Sequence, residues 1–97
     1  MTIDKTIDGG ILTLTVGGRL DTNTSPELEA ELKFDGVSNV VFNFSALEYI
    51  SSAGLRVLMT AQKAMMSVGG KVTISSPNGM VRGVLDMTGL SGVFEIV

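Results

Sequence analysis

Hydrophobic and polar residues alternate in two runs near the start of the chain, a pattern typical of β-strands. The first run covers residues 2–7, where Ile3 and Ile7 flank Lys5 on one face. The second run covers residues 11–16 and places its larger apolar residues on one face: Leu12, Leu14 and Val16. Asp8-Gly9-Gly10 separates the two runs, and Asp-Gly is a strong hairpin signal. The sequence therefore predicts an antiparallel pair of strands.

A helix is predicted after the break in the pattern at Gly17-Gly18-Arg19-Leu20-Asp21. Thr24 and Glu27 have the spacing of a capping box, and Pro26 would stand at the first helical position. The helix would carry Leu28 and Leu32 on one face and end near Asp35-Gly36. A third, strongly apolar strand follows, with alternating residues Val40, Phe42 and Phe44.

The second helix is predicted from about Ser52 to about Val68, with Gly69-Gly70 as its stop signal. Its apolar residues recur at helical spacing: Leu55, Leu58, Ala61, Met65 and Val68. A polar stripe recurs at the same spacing: Arg56, Thr60, Lys63 and Ser67. Two faces of opposite character predict a helix packed on one side and exposed on the other.

The last third of the chain repeats the alternation of strand and helix. Val72 and Ile74 mark a fourth strand, and Ser76-Pro77 is the predicted start of a third helix that ends at Gly89. The apolar residues of that helix are Met80, Val81, Val84 and Leu85, and a last short strand is predicted over residues 93–97. Because short crossovers through helices give parallel strands, we expect a mixed four- to five-stranded sheet with packed helices, an α/β domain.

Composition limits the possible functions. The chain has 97 residues, which favours a single domain over residues 1–97. Its net charge of −3 argues against direct binding of nucleic acid, and no apolar run exceeds three residues, which argues against membrane insertion. It has no Cys and no His, so neither a metal site built on them nor a cofactor is predicted, and a cytoplasmic location is expected.

Enzyme chemistry finds little support in the sequence. Ser51 and Ser52 stand at a strand-to-helix turn, but a serine hydrolase needs a base and His is absent. No glycine pair belongs to a phosphate-binding loop motif. Glu27 and Glu31 fit a solvated acidic face better than a catalytic pair. The chain is therefore predicted not to be an enzyme.

Ser52 has a second possible role because a helix N-terminus tolerates a phosphate. Spacing alone favours a plainer role, in which Ser51 or Ser52 only caps the helix. The segment Tyr49-Ile50-Ser51-Ser52-Ala53-Gly54-Leu55-Arg56-Val57-Leu58 resembles the STAS domains of anti-sigma factor antagonists. Further likeness lies in residues 18–21, 40–45, 76–77 and 86–90, in the same order and at matching spacing.

This resemblance implies a bacterial cytoplasmic switch with a STAS fold. A serine at the start of the second helix is phosphorylated by an anti-sigma factor that is also a serine kinase, and a serine phosphatase reverses the modification. By position the acceptor is Ser52. Many relatives carry Asp before the acceptor, whereas this chain has Ser51, which leaves Ser51 as a possible second acceptor. Asp21 matches the acidic residue of the Gly-x-Leu-Asp motif of the family.

The partner-binding surface is expected beside the acceptor and consists of Asp21, Thr22, Gly54, Arg56, Thr60 and Lys63. Simpler roles for parts of this surface remain open. The polar stripe of the second helix is equally well explained as a solvated face, and Asp21 would also suit hydrogen bonds within its own turn. A constitutive STAS adaptor subunit of a larger assembly, such as a stress-signalling or lipid-transport complex, is the alternative function.

Overall fold

The computed structural model describes all residues, 1–97, and contains a five-stranded sheet in the order β1-β2-β3-β4-β5. The strands are β1 (Thr2–Asp8), β2 (Ile11–Leu20), β3 (Asn39–Ile50), β4 (Lys71–Ser75) and β5 (Glu95–Ile96). The helices are α1 (Ser25–Glu29), α2 (Ser52–Ser67) and α3 (Gly79–Met87), and a 3₁₀ turn covers Leu90–Gly92. β1 and β2 pair antiparallel, and the other neighbouring strands pair parallel. The predicted α/β fold with its mixed sheet is thus confirmed.

The hydrophobic core lies between one face of the sheet and the helices. Alternate residues of the three central strands are fully or almost fully buried: Leu12, Leu14, Val16, Val40, Phe42, Phe44, Val72 and Ile74. The residues between them, such as Thr13, Val41 and Thr73, remain partly exposed. From α2 the core receives Val57, Leu58, Ala61 and Met65, and from α3 it receives Val81 and Leu85. The period-2 and helical patterns therefore identified most of the core.

β2 does not end at Val16, so the predicted break over residues 17–21 is wrong. The strand continues to Leu20 beside β3, which contains extra residues at two register shifts. Gly17 makes this possible, since a Cβ there would lie 2.7 Å from Thr2 Oγ1, and Gly18 has a positive φ of 90°. The shifts also end the simple alternation in β3 after Phe44, and for that reason its second half was not predicted.

α1 is much shorter than predicted, and the predicted capping box is absent. Thr24 occupies the N-cap position, but its side chain makes no cap hydrogen bond. After Glu29 the backbone tightens, so that Leu32 N–H donates to Glu29 O rather than to a residue one full turn back. This tightening lets Leu32 pack against the core and lets Val37 reach the interior. Tertiary packing therefore overrides the helical spacing of Leu28 and Leu32.

The ends of the other helices also differ from the sequence prediction. Val68 follows α2 and is exposed, because Gly69 turns the chain with a φ of 72°. α3 begins after Asn78 rather than at Ser76-Pro77, and Met80 is exposed instead of joining the core. The last strand is reduced to Glu95–Ile96.

Candidate functional site

The start of α2 lies at the edge of the sheet where the parallel strands end. Leu20 and Ile50 form the last pair of the β2–β3 ladder, and Ser51 N–H donates to Leu20 O at 2.9 Å. α2 then begins at Ser52. The carboxyl end of a parallel sheet is the usual position for binding sites in α/β folds, because loops and helix N-termini meet there.

Ser52 is exposed and is the first residue of α2. Ser51 is the N-cap residue, in an extended conformation, but its side chain makes no cap hydrogen bond. Its Oγ is buried and has no hydrogen-bond partner. The two hydroxyls considered at this turn therefore differ in access: that of Ser52 belongs to an exposed residue, whereas the Ser51 oxygen is shielded from solvent.

Asp21 organises the loop between β2 and α1. Its Oδ1 accepts hydrogen bonds from Asn23 N–H at 3.0 Å and Thr24 N–H at 3.1 Å. Its own N–H donates to Thr24 Oγ1 at 2.9 Å, and that hydroxyl donates to Arg19 O at 2.8 Å. The Thr24 backbone bond is the main cause that lowers the pKa of Asp21, and a weaker contribution comes from Arg19, whose Nε lies 3.9 Å from Oδ2. The local turn role considered for Asp21 is thus present in the structure.

A cleft of about 160 Å³ lies between α1 and the first turns of α2, and it is lined by Ala53, the residue after Ser52, but not by Ser52 itself. Three residues of the predicted partner-binding set line it: Thr22, Arg56 and Thr60. The remaining walls are formed by Ser25, Pro26, Glu29, Ala53 and Val57. The cleft combines an unpaired guanidinium, an unpaired carboxylate and hydroxyl groups over a small apolar floor, so it can accept a polar side chain of a partner.

Sequence reasoning did not identify Glu29 or Ser25 as residues of this cleft. Ser25 is buried, and its hydroxyl donates to Asp21 O at 2.6 Å. Glu29 stands one helical turn after Ser25, so both face α2 from the same side of α1. That spacing was available in the sequence, but it has no meaning until the packing of α1 on α2 is known.

Gly54 and Lys63 complete the predicted set and lie in different surroundings. Gly54 is buried, and a Cβ built on it would lie 2.8 Å from both Leu20 Cγ and Ile50 Cγ1. Its small size lets α2 approach the ends of β2 and β3. Lys63 is exposed on α2 and stands outside the cleft lining.

None of the helices is long and apolar enough to cross a membrane.

Comparison with known proteins identifies the family to which this fold and site belong. A family model of the STAS domain matches residues 2–97, so the chain belongs to the STAS domain family. BtrV of Bordetella bronchiseptica, named as an anti-sigma factor antagonist, is 34% identical over 99 residues that cover 99% of this chain and 84% of BtrV. The anti-sigma-B factor antagonist of Staphylococcus aureus is 26% identical, and the alignment covers 99% of this chain and 92% of that protein.

The same fold occurs in a solved structure. Unphosphorylated SpoIIAA, an anti-sigma factor antagonist, superposes with a TM-score of 0.87 at 19% identity, over 99% of this chain and 88% of SpoIIAA. The expected STAS fold is therefore confirmed. These three similar proteins are all named as anti-sigma factor antagonists, whereas a sulfate transporter family protein from Wolinella succinogenes shares the fold with a TM-score of 0.78 at 13% identity, over 95% of this chain and 80% of that chain.

Proposed function

We propose that this chain is an anti-sigma factor antagonist whose binding is switched by phosphorylation of Ser52. In its unmodified form it would bind an anti-sigma factor that is also a serine kinase, and the sigma factor would be released to act in transcription. The observation that carries the proposal is the exposed Ser52 at the first position of α2, next in the chain to Ala53, which lines the α1–α2 cleft. The named relatives support the same class of partner.

The chemical step uses the chain only as an acceptor. The Ser52 oxygen attacks the γ-phosphorus of ATP, the bond to the β–γ bridging oxygen breaks, and ADP leaves. The hydroxyl proton passes to a base of the kinase, which also holds Mg²⁺. A serine phosphatase would transfer the phosphoryl group to water, which releases inorganic phosphate and restores the hydroxyl. Kinase, ATP and phosphatase would all meet the chain in the cytoplasm.

Ser52 is the proposed acceptor rather than Ser51 because the two oxygens differ in accessibility. A kinase must bring ATP within bonding distance of the attacking oxygen. Ser52 is exposed, whereas the Ser51 oxygen is buried. Modification of Ser51 would first require its buried oxygen to become exposed.

Docking would use the residues around the α1–α2 cleft and the exposed face below it. Arg56 and Thr60 line the cleft together with Thr22, and Lys63 continues the exposed face along α2. Asp21 would contribute by holding the loop that carries Thr22. Gly54 would contribute indirectly, because it fixes the position of α2.

The energies are sufficient for a switch without refolding. A phosphate adds about −1.5 to −2 charges at neutral pH, and the N-terminus of a helix stabilises such a charge in the free domain. In the complex the same charge would be desolvated against a surface that fits a neutral hydroxyl, at a cost of several kcal/mol. A hundredfold loss of affinity needs only about 2.8 kcal/mol.

The test is phosphorylation by a kinase recovered from the source cell together with the chain. Wild-type chain, Ser52→Ala and the matched control Ser51→Ala are incubated with that kinase and ATP, then weighed. We expect a gain of about 80 Da in the wild type and in Ser51→Ala, and none in Ser52→Ala. If the chain copurifies with a transporter ATPase and never gains mass, the constitutive adaptor replaces the switch.

A further inference from the structure

Arg56 is a free cation one helical turn after Ser52. Its side chain takes part in no ion pair and no hydrogen bond, although it lines the α1–α2 cleft. The ion pairs of the chain use other basic residues: Lys5, Arg19, Lys71 and Arg82. No acidic residue occupies the first turn of α2. The guanidinium is therefore available to an anion at this end of the helix.

Arg56 follows Ser52 by four residues on α2, so the two residues are neighbours on the helix surface. Residues four apart on a helix are surface neighbours, with Cβ atoms about 5–6 Å apart. Long side chains on a helix lean towards its N-terminus and cover the preceding turn. An ion pair of this spacing is more favourable when the anion precedes the cation along the helix, as it would here. The first turn also offers backbone N–H groups, since Ser51 does not cap them.

We propose that Arg56 holds the phosphate of phosphorylated Ser52. The planar guanidinium donates two parallel N–H bonds to phosphate oxygens, a geometry that a lysine cannot reproduce. The ion pair thereby holds the phosphate against the surface of α2, so that it does not project into solvent. Arg56 is a positioning residue in this scheme, because it acts on the modified side chain and takes no part in phosphoryl transfer.

The other charged groups around the start of α2 do not supply an equivalent partner. Arg19 is stacked on the Tyr49 ring, with its guanidinium carbon 4.2 Å from the ring centroid, and lies near Asp21. Asp21 already accepts two backbone hydrogen bonds. Glu29 on α1 lines the same cleft as Arg56, but the two side chains form no ion pair.

The clamp would change the cleft as well as Ser52. In the unmodified chain Arg56 and Glu29 line the cleft together. Once the Arg56 guanidinium pairs with the phosphate, a partner that enters the cleft would meet the Glu29 carboxylate but no free basic group. Modification would thus remove a docking contact in addition to adding a charge. This proposal rests on the proposed function only for the choice of Ser52 as the acceptor.

The test uses chain with phosphoserine inserted at position 52 during translation, so no kinase is needed. The second ionisation of the phosphate is followed by ³¹P NMR in four chains: wild type, Arg56→Gln, Arg56→Lys and the matched control Lys63→Gln. We expect the phosphate pKa in the wild type to lie about half a pH unit below that in Arg56→Gln. Lys63→Gln should match the wild type, and Arg56→Lys should fall between.

Two results would overturn the clamp. One is an equal phosphate pKa in wild type and Arg56→Gln. The other is an equal rise in Arg56→Gln and Lys63→Gln, which would indicate a general field of positive charge. Because Arg56 is exposed, its variants are expected to fold, and amide NMR spectra of the same samples verify this. If no kinase modifies the chain, the proposed function fails but these pKa values still decide the clamp.

Discussion

Ser51 N–H donates to Leu20 O at 2.9 Å, directly beyond the last residue pair of the β2–β3 ladder. This bond ties the N-cap of α2 to the end of β2, so the position of Ser52 is set by the strand ends beneath it. Gly54 lies over the same two strand ends. The position of Ser52 therefore depends on the close packing of Gly54, two residues further along α2.

Gly54→Ala should destabilise the fold by about 1–3 kcal/mol, because the new methyl group would overlap Leu20 and Ile50. Chemical denaturation measures the change in the free energy of unfolding. Gly83→Ala is the matched control, since Gly83 lies inside α3 with no atom within 4 Å of a built Cβ. That variant should gain about 0.5–1 kcal/mol from helix propensity. Equal effects of the two substitutions would refute the close approach at Gly54.

Ser51→Ala should leave the free energy of unfolding unchanged within about 0.5 kcal/mol, or raise it, because the Ser51 hydroxyl has no partner to lose. A functional N-cap would instead cost about 1 kcal/mol on the same substitution. Thr24→Ala provides the contrast: that hydroxyl bonds Asp21 N–H and Arg19 O, and its removal should cost about 1–2 kcal/mol. A clear loss in Ser51→Ala would mean that its oxygen caps α2.

Asn78 joins the start of α3 to β3. Its side-chain oxygen accepts from Val81 N–H at 2.8 Å, and its Nδ2 donates to Leu47 O at 3.0 Å. Nδ2 also lies 3.5 Å from Glu48 O, a second and longer hydrogen bond to β3. Asn78→Ala removes all three bonds and should cost about 1–3 kcal/mol, whereas Asn78→Asp keeps the cap and loses the Nδ2 bonds to β3. Thermal unfolding should rank wild type above Asn78→Asp and Asn78→Ala last. An Asp variant as unstable as the Ala variant would assign the whole effect to the contacts with β3.

Two carboxylates should make the free energy of unfolding depend on pH in the acid range. Hydrogen bonds from the Thr24 backbone to Asp21, and from Ser91 and Arg82 to Asp86, lower the pKa of each group from the ordinary value of 3.8. Because the pKa is lower in the folded chain, this stabilisation is fully present above pH 4 or so and is lost as pH falls through the folded pKa. Denaturation at pH 6 and at stepwise lower pH measures this loss.

Asp21→Asn and Asp86→Asn should each flatten the acid side of that profile. Asp4→Asn, at an exposed carboxylate of β1 that makes no ion pair or hydrogen bond, is the matched control and should follow the wild type. If the free energy of unfolding of Asp21→Asn changes with pH as it does in Asp4→Asn, the turn around Asp21 does not depend on its charge.

The sequence was most informative where one pattern controls one element. Strict alternation located the first half of β2 and the buried side of β3, because each such residue faces either the core or solvent. It also located β1, although every residue of that strand except Ile3 is exposed. Helical spacing located α2 for the same reason. The patterns failed where packing between distant segments decides the backbone, as in the bulged second half of β3 and the tightened chain after Glu29.

The site was predicted in part. Ser52, Thr22, Arg56 and Thr60 could be named in advance. The family motif marks Ser52, and helical spacing places Arg56 and Thr60 on one face of the predicted helix. The walls that α1 contributes could not, because Glu29 joins the cleft only through the packing of a five-residue helix against α2. The shielding of the Ser51 oxygen likewise depends on three-dimensional packing at the end of the sheet.

The affinity of unmodified and Ser52-phosphorylated chain for the anti-sigma factor kinase tests the central claim most directly. Both forms are titrated against the same partner by calorimetry, with phosphoserine installed at position 52 during translation. A switch of the proposed kind predicts binding at least about 100-fold weaker for the phosphorylated chain. Equal affinity of the two forms would contradict it.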